Sequence, residues 1–133
     1  MLKAKIAKEM VVRMTNQVGV LAQVSKLVAD MGINLLAVSA WVEGTNAVIR
    51  LVADDPVRLG DALRGKKFSV RETDVVVVET PHKPGMLRQV AEKLAGQGLD
   101  LIYLYASAAV DQDKSLVVFS SMNNDRAVVL LNQ

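Results

Sequence analysis

Gly19-Val20-Leu21-Ala22-Gln23-Val24-Ser25-Lys26-Leu27-Val28-Ala29-Asp30-Met31-Gly32-Ile33-Asn34-Leu35 is answered 66 residues further on by Gly85-Met86-Leu87-Arg88-Gln89-Val90-Ala91-Glu92-Lys93-Leu94-Ala95-Gly96-Gln97-Gly98-Leu99-Asp100-Leu101. Among the positions that recur unchanged are Gly19 and Gly85, Leu21 and Leu87, Val24 and Val90, Ala29 and Ala95, Gly32 and Gly98, Leu35 and Leu101. Each copy sets a glycine at the mouth of an apolar stretch with helical spacing and another at its far end. A fixed period of this length marks two copies of one supersecondary unit. The two copies use nearly the whole chain, which leaves little for a separate catalytic domain.

Working outward from the first copy, Met10, Val12 and Met14 recur at period two with the polar Glu9 and Arg13 among them, the period of a strand exposed on one face. Apolar positions 20, 21, 24, 27, 28 and 31 then fall on one face of a helix. Gly32 suits the left-handed position that ends it. Residues 33–42 are too apolar for a one-sided strand and are expected to be largely buried. A turn at Glu43-Gly44-Thr45-Asn46 returns the chain into a strand over 47–53. Asp54-Asp55-Pro56 starts a weaker helix, with Asp55 as cap and Pro56 in the first turn. Phe68 to Arg71 reads as a short closing strand. The order β-α-β-β-α-β predicts an α+β, ferredoxin-like unit, an antiparallel sheet with helices on one face.

The second copy opens with Val75-Val76-Val77-Val78, a run that suits a central strand. The loop Glu79–Gly85, a helix from Met86 to Ala95 and a strand over 99–109 follow. Asp111-Gln112-Asp113 marks a turn, 115–120 a returning strand, and Asn123-Asn124-Asp125 the cap of a helix reaching Leu131. The expected units are therefore 1–73 and 74–133. The second has no counterpart to the Phe68–Arg71 strand, so its final edge is either filled by a swapped strand or open to pairing.

Composition narrows the function. The chain has 133 residues, 51% hydrophobic and only 4% aromatic, so the core is aliphatic. Units of about 65 residues are hard to stabilise alone, which favours packing together and with a second chain. Sixteen Lys and Arg against 14 Asp and Glu give +2, without the basic stripe that tracks phosphates. There is no cysteine, hence no disulfide or thiolate chemistry. No apolar run approaches the roughly 20 residues of a membrane span, and Met1–Lys5 is not followed by the apolar region of a secretion signal. A cytoplasmic protein contacting neither nucleic acid nor membrane is expected. No catalytic triad, metal-ligand cluster or phosphate loop stands out, so neither catalysis nor a cofactor is expected.

Gly19-Val20-Leu21, Val24, Leu27-Val28-Ala29 and Gly32-Ile33-Asn34-Leu35 resemble the signature of ACT domains, the small-molecule-sensing modules of amino-acid metabolism. Pro84-Gly85 with Leu87, leading to Gly98-Leu99-Asp100-Leu101, resembles it more closely. The resemblance implies a stand-alone tandem ACT protein, homodimeric and non-catalytic, regulated by a free amino acid bound between domains. Candidate ligand-binding residues are then Asn16, Gly19, Val20, Leu21 and Asn34 in the first copy. In the second they are His82, Gly85, Met86, Leu87 and Asp100. An amide such as Asn34 serves either end of an amino acid, whereas ionised Asp100 only accepts and suits the ammonium. Val18 stands where the family usually has proline, so the first loop is expected to be less rigid.

The residues carry part of this without the family. A glycine between strand and helix allows close backbone approach, and first-turn amides form an anion site. The helix dipole adds roughly 0.3–1 kcal/mol, against about 8 kcal/mol for micromolar binding, so side chains and a closing partner surface must supply the rest. Bland alternatives stand beside each residue: tight strand–helix packing for Gly19 and Gly85, a cap or turn for Asn16, an ordinary loop for His82. Tyr103 and Tyr105 suit half-buried strand positions, with the lining of a pocket as the alternative, and Trp41 suits interface or core. The rival functions are a protein-binding regulator acting through a partner, similar to tandem-ACT repressor partners, a regulated enzyme being the other kind of partner; a small ferredoxin-like enzyme; and an RNA-binding module. The last would need exposed aromatics on central strands, where only Phe119 is available.

Overall fold

A computed structural model describes residues 2–108 and 113–133. In chain order the elements are β1 (Lys3–Thr15), α1 (Val20–Asp30), β2 (Leu35–Glu43), β3 (Asn46–Ala53), α2 (Pro56–Gly65), β4 (Ser69–Pro81), α3 (Met86–Ala95), β5 (Leu101–Ala108), β6 (Lys114–Ser121) and α4 (Asn124–Asn132). The turn expected at Asp111-Gln112-Asp113 falls largely outside the described residues. Two compact units result, Lys8–Thr73 and Met1–Ala7 with Asp74–Gln133. The sequence places the first seven residues with the first copy; the structure groups them with the second.

In the unit Lys8–Thr73 the strands run in the order β2-β3-β1-β4. β3 pairs antiparallel with β1, Met10 opposite Leu51 and Val12 opposite Ile49. It also pairs antiparallel with β2, Val38 opposite Leu51 and Ala40 opposite Ile49. Helices α1 and α2 cover one face, where Val24, Val28, Leu59 and Leu63 meet Met10, Val12, Ile49 and Leu51. Asp55 caps α2 as expected, accepting from Arg58 N at 3.2 Å, with Pro56 in the first turn. Asp54 does something else: its carboxylate accepts from Asn34 N at 3.1 Å.

In the other unit the order is β1-β4-β6-β5, so residues 3–7 of β1 occupy the edge that the second copy lacked. Leu2 and Ala4 enter its core beside Val76, Val78, Leu94, Phe119 and Leu131. The expected alternative of an open edge is thereby replaced by a strand from the chain's own beginning. The separate strands expected at 68–71 and 75–78 are one 13-residue strand, β4. Polar Glu72, Thr73 and Asp74 interrupt its apolar pattern, and pairing, which reads backbone groups rather than side chains, continues through them.

A second expectation fails at β2, where Leu36, Val38 and Val42 are 44%, 42% and 56% exposed. β2 is the terminal strand of its unit, with β3 as its hydrogen-bonded neighbour there. Apolar content alone does not distinguish a buried central strand from an uncovered edge. The strands that are closed on both faces are the inner ones. Val11, Val48 and Val52, on the face away from α1 and α2, are as buried as the core, and so are Val75, Val77 and Val118 in the other unit.

Candidate functional site

The chain enters α1 through Gly19 and α3 through Gly85, with φ of 92° and 89° respectively. A Cβ built on either glycine meets nothing within 4 Å. Tight packing therefore does not explain these glycines; the left-handed backbone does, because a side chain there is strained. Neither helix has a side-chain cap, whereas α2 and α4 are capped by Asp55 and Asn123. The first-turn amides of α1 and α3 are thus without the side-chain oxygen that occupies them in the other two helices.

A groove of about 270 Å³ opens beside the turn into α1, lined by Asn16, Gln17, Gly19, Val20 and Leu21 from the loop and helix and by Ala40, Trp41, Val42, Ala47 and Ile49 from the strands. A groove of about 290 Å³ lies at the corresponding place in the second copy, between Thr80, Pro81, Lys83, Met86 and Leu87 on one side and Ala106, Ser107, Ser115 and Val117 on the other. The pairing registers make the correspondence residue by residue. Ala40 faces Ile49 as Ala106 faces Val117, and Trp41 faces Val48 as Ser107 faces Leu116. Both volumes lie near the lower end of small-molecule sites, about 300 Å³. The first groove is walled by Ala, Val and Ile with two amides at the mouth. The second exchanges Gln17 for Lys83, Trp41 for Ser107 and Ala47 for Ser115.

Of the candidate residues, Asn16, Gly19, Val20 and Leu21 come together around the first groove, and Met86 and Leu87 around the second. Gly85 supplies the turn into α3. His82 is exposed; its backbone N–H donates to Asp113 O, and its Nδ1 lies 2.9 Å from the Oγ of Ser115, which lines the groove. Asn16 is held by its backbone N–H on Thr45 O at 2.8 Å and does not cap α1. Asn34 and Asp100 lie elsewhere in their units, beyond the C-terminal ends of α1 and α3. Eleven residues of helix separate Gly19 from that end, about 16 Å. Each carbonyl there accepts from the residue that follows the returning strand: Asn34 O from Asp54 N and Asp100 O from Met122 N.

The strand residues of both grooves escaped the sequence reading. Their signal was present, since Ala40 and Val42 share the period-two face of β2 that looks toward α1. A further groove of about 340 Å³ runs along α1 between Gln23, Lys26, Leu27, Asp30, Lys66 and Phe68. Lys26 is engaged there by Asp30 at 2.7 Å, and that hydrogen bond raises the lysine's pKa. Among the described residues no group of three His, Asp or Glu is placed to hold a metal ion. Among the same residues no helix is long and apolar enough to cross a membrane.

The family profile described as "ACT domain pair" matches residues 5–133. The chain belongs to the ACT domain pair family. A crystal structure of a Bacteroides thetaiotaomicron protein matches this ACT pair with a TM-score of 0.88 at 29% identity, covering 97% of this chain and 88% of that one. The regulatory subunit of aspartate kinase from Thermus thermophilus, in its ligand-free form, matches with a TM-score of 0.68 at 14% identity, covering 99% and 95%. A structure of aspartokinase alpha and beta subunits matches with a TM-score of 0.67 at 18% identity, covering 98% and 95%. At such identities the latter two show a shared fold. No curated protein matches the chain.

Proposed function

We propose that this ACT pair is a non-catalytic, cytoplasmic regulatory sensor that binds a free amino acid and works as a homodimer. The observation that carries this is the recurrence of one groove at equivalent places in both copies, each beside an uncapped helix entered through a left-handed glycine. Outward-facing amides suit a carboxylate. The apolar walls beside them suit a side chain that is small or branched in the first copy. In the second, Lys83 and Ser115 suit a more polar one. Asn34 and Asp100 are proposed as contacts to ligand held by another domain, since within their own units they lie away from the grooves. Binding regulates only by favouring one arrangement over another, and a tenfold preference supplies about 1.4 kcal/mol.

A second function has its own support. Val18, Leu21 and Val42 are exposed around the first groove, and exposed apolar patches mark interaction surfaces. The alternative is therefore a regulator that acts through a partner protein without a small ligand. A thermal-shift screen of the twenty amino acids, with calorimetry on each hit, separates the two. A saturable shift from one or a few amino acids supports the sensor. A flat profile to millimolar concentration, with folded protein, discards it in favour of the partner-binding regulator.

A further inference from the structure

Glu9 on β1 is fully buried, and Arg50 on β3 is 9% exposed. Arg50 Nη1 donates to Glu9 Oε1 at 2.7 Å, and Thr73 Oγ1 lies 3.4 Å from the same oxygen. The guanidinium carbon of Arg50 stands 5.5 Å from the centre of the Trp41 ring, within cation–π range. Trp41 belongs to the stretch of β2 that floors the first groove. Strand alternation turns Ala40 and Val42 toward α1 and the indole to the opposite side, where Arg50 lies. Four side chains thus run in line from the back of the groove to Glu9 and Thr73. The chain passes between its two compact units at Ala7–Lys8 and at Thr73–Asp74, so the line ends beside both crossings.

The second copy has none of this. The registers set Val75 at the place of Glu9, Val118 at that of Arg50 and Ser107 at that of Trp41. Val75 and Val118 are both fully buried. Apolar residues therefore satisfy this fold at these positions, and exchanging a buried ion pair for them is often neutral or stabilising. The charges of the first copy are thus not a requirement of the fold.

We infer that Arg50 is a positioning residue that couples the first groove to the two strand crossings, so that a displacement of β2 at Trp41 is felt at Glu9 and Thr73. Its physiological input rests on the groove being the ligand site proposed above; its test does not. Hydrogen exchange is measured on the full chain with and without Trp41→Ser, in the native background and in Glu9→Val/Arg50→Val, the pair borrowed from the second copy. In the native background, Trp41→Ser accelerates exchange of the amides of residues 8–10 and 72–74 at least fivefold, the lower end of site-to-site coupling. In the double-valine background the acceleration falls below twofold. Equal acceleration in both backgrounds, or none in the native one, overturns the inference. Arg50→Lys gives a second test that keeps the charge on Glu9 while losing the planar stack; it must also abolish the coupling. Amino-acid calorimetry on the same proteins judges the sensor separately, since failure to bind leaves the exchange result standing.

Discussion

Asn132 holds Ala4 by both of its backbone groups: its Oδ1 accepts from Ala4 N at 2.7 Å, and its Nδ2 donates to Ala4 O at 2.9 Å. A side chain from the last turn of α4 thereby fixes an edge strand taken from the beginning of the chain. Asn132→Ala removes both bonds and leaves a part-buried peptide group unpaired, at about 1–3 kcal/mol. Chemical denaturation is expected to show a lowered midpoint of that size. A deletion of residues 2–7 goes further, exposing the flank of β4 and removing Leu2 and Ala4 from the core. The isolated segment 74–133 is accordingly expected to lack a cooperative unfolding transition, and one that unfolds as sharply as the whole chain would contradict the shared-strand arrangement.

The buried pair makes an asymmetric prediction. Arg50→Met or Glu9→Leu alone breaks the buried pair and costs about 3–5 kcal/mol. Glu9→Val with Arg50→Val recovers most of that, because Val75 and Val118 already occupy the equivalent places. Denaturant midpoints of the two single variants and the double variant check it.

Gly19→Ala and Gly85→Ala should each cost about 1–2 kcal/mol through backbone strain at positive φ, with no clash to relieve because the space around each Cβ is open. Asparagine, which tolerates this conformation better, should cost less at both sites. An alanine penalty matched by asparagine would point to packing instead. In calorimetry, either alanine variant should weaken amino-acid binding at its own groove and leave the other groove's affinity unchanged.

The two grooves should differ in what they accept. Exchanging Ala47→Ser and Ser115→Ala carries the hydroxyl from the second wall to the first. A lone added hydroxyl disfavours an apolar side chain by leaving a polar group without a partner. Titration of the exchanged variant against branched and hydroxylated amino acids is expected to show the preference of the first groove moving toward the polar ligand. Unchanged preference in both grooves would mean these walls do not touch the ligand side chain.

Capping supplies a control outside the grooves. Asn123 accepts from Arg126 N at 3.1 Å at the start of α4, so Asn123→Ala should cost about 1 kcal/mol and leave amino-acid affinity as it was.

Much of this was legible because the helices punctuate themselves. Gly19, Gly32, Gly85 and Gly98 all take positive φ, and Asp55 and Asn123 cap where their neighbours say they should. The repeat then gives the order of elements. What stayed hidden is long-range. Nothing local in Leu2–Ala7 says that its partner is Asn132 rather than a neighbour, and the apolar run of β2 reads the same whether or not anything covers it. Glu9 was equally silent, a single acidic residue in an alternating strand, until Arg50 was found opposite. The candidate site was half visible for the same reason: the loop residues announce themselves by glycine and spacing, whereas Ala40, Ala47 and Ser115 join them only through strand register.

The bond between Ala4 and Asn132 spans 128 positions of sequence, and synthesis runs from the first residue to the last. Leu2–Ala7 leaves the ribosome early and waits with its backbone groups unpaired until β4 and α4 have followed. For that interval an apolar strand is free to pair with neighbouring nascent chains, the hazard that attends late-closing sheets. Its protection lies in its own charges: Lys3 and Lys5 interrupt the stretch and Lys8 follows it, and lysine on an unpaired strand resists edge-to-edge association. These lysines thus guard the strand through the interval between its synthesis and its pairing.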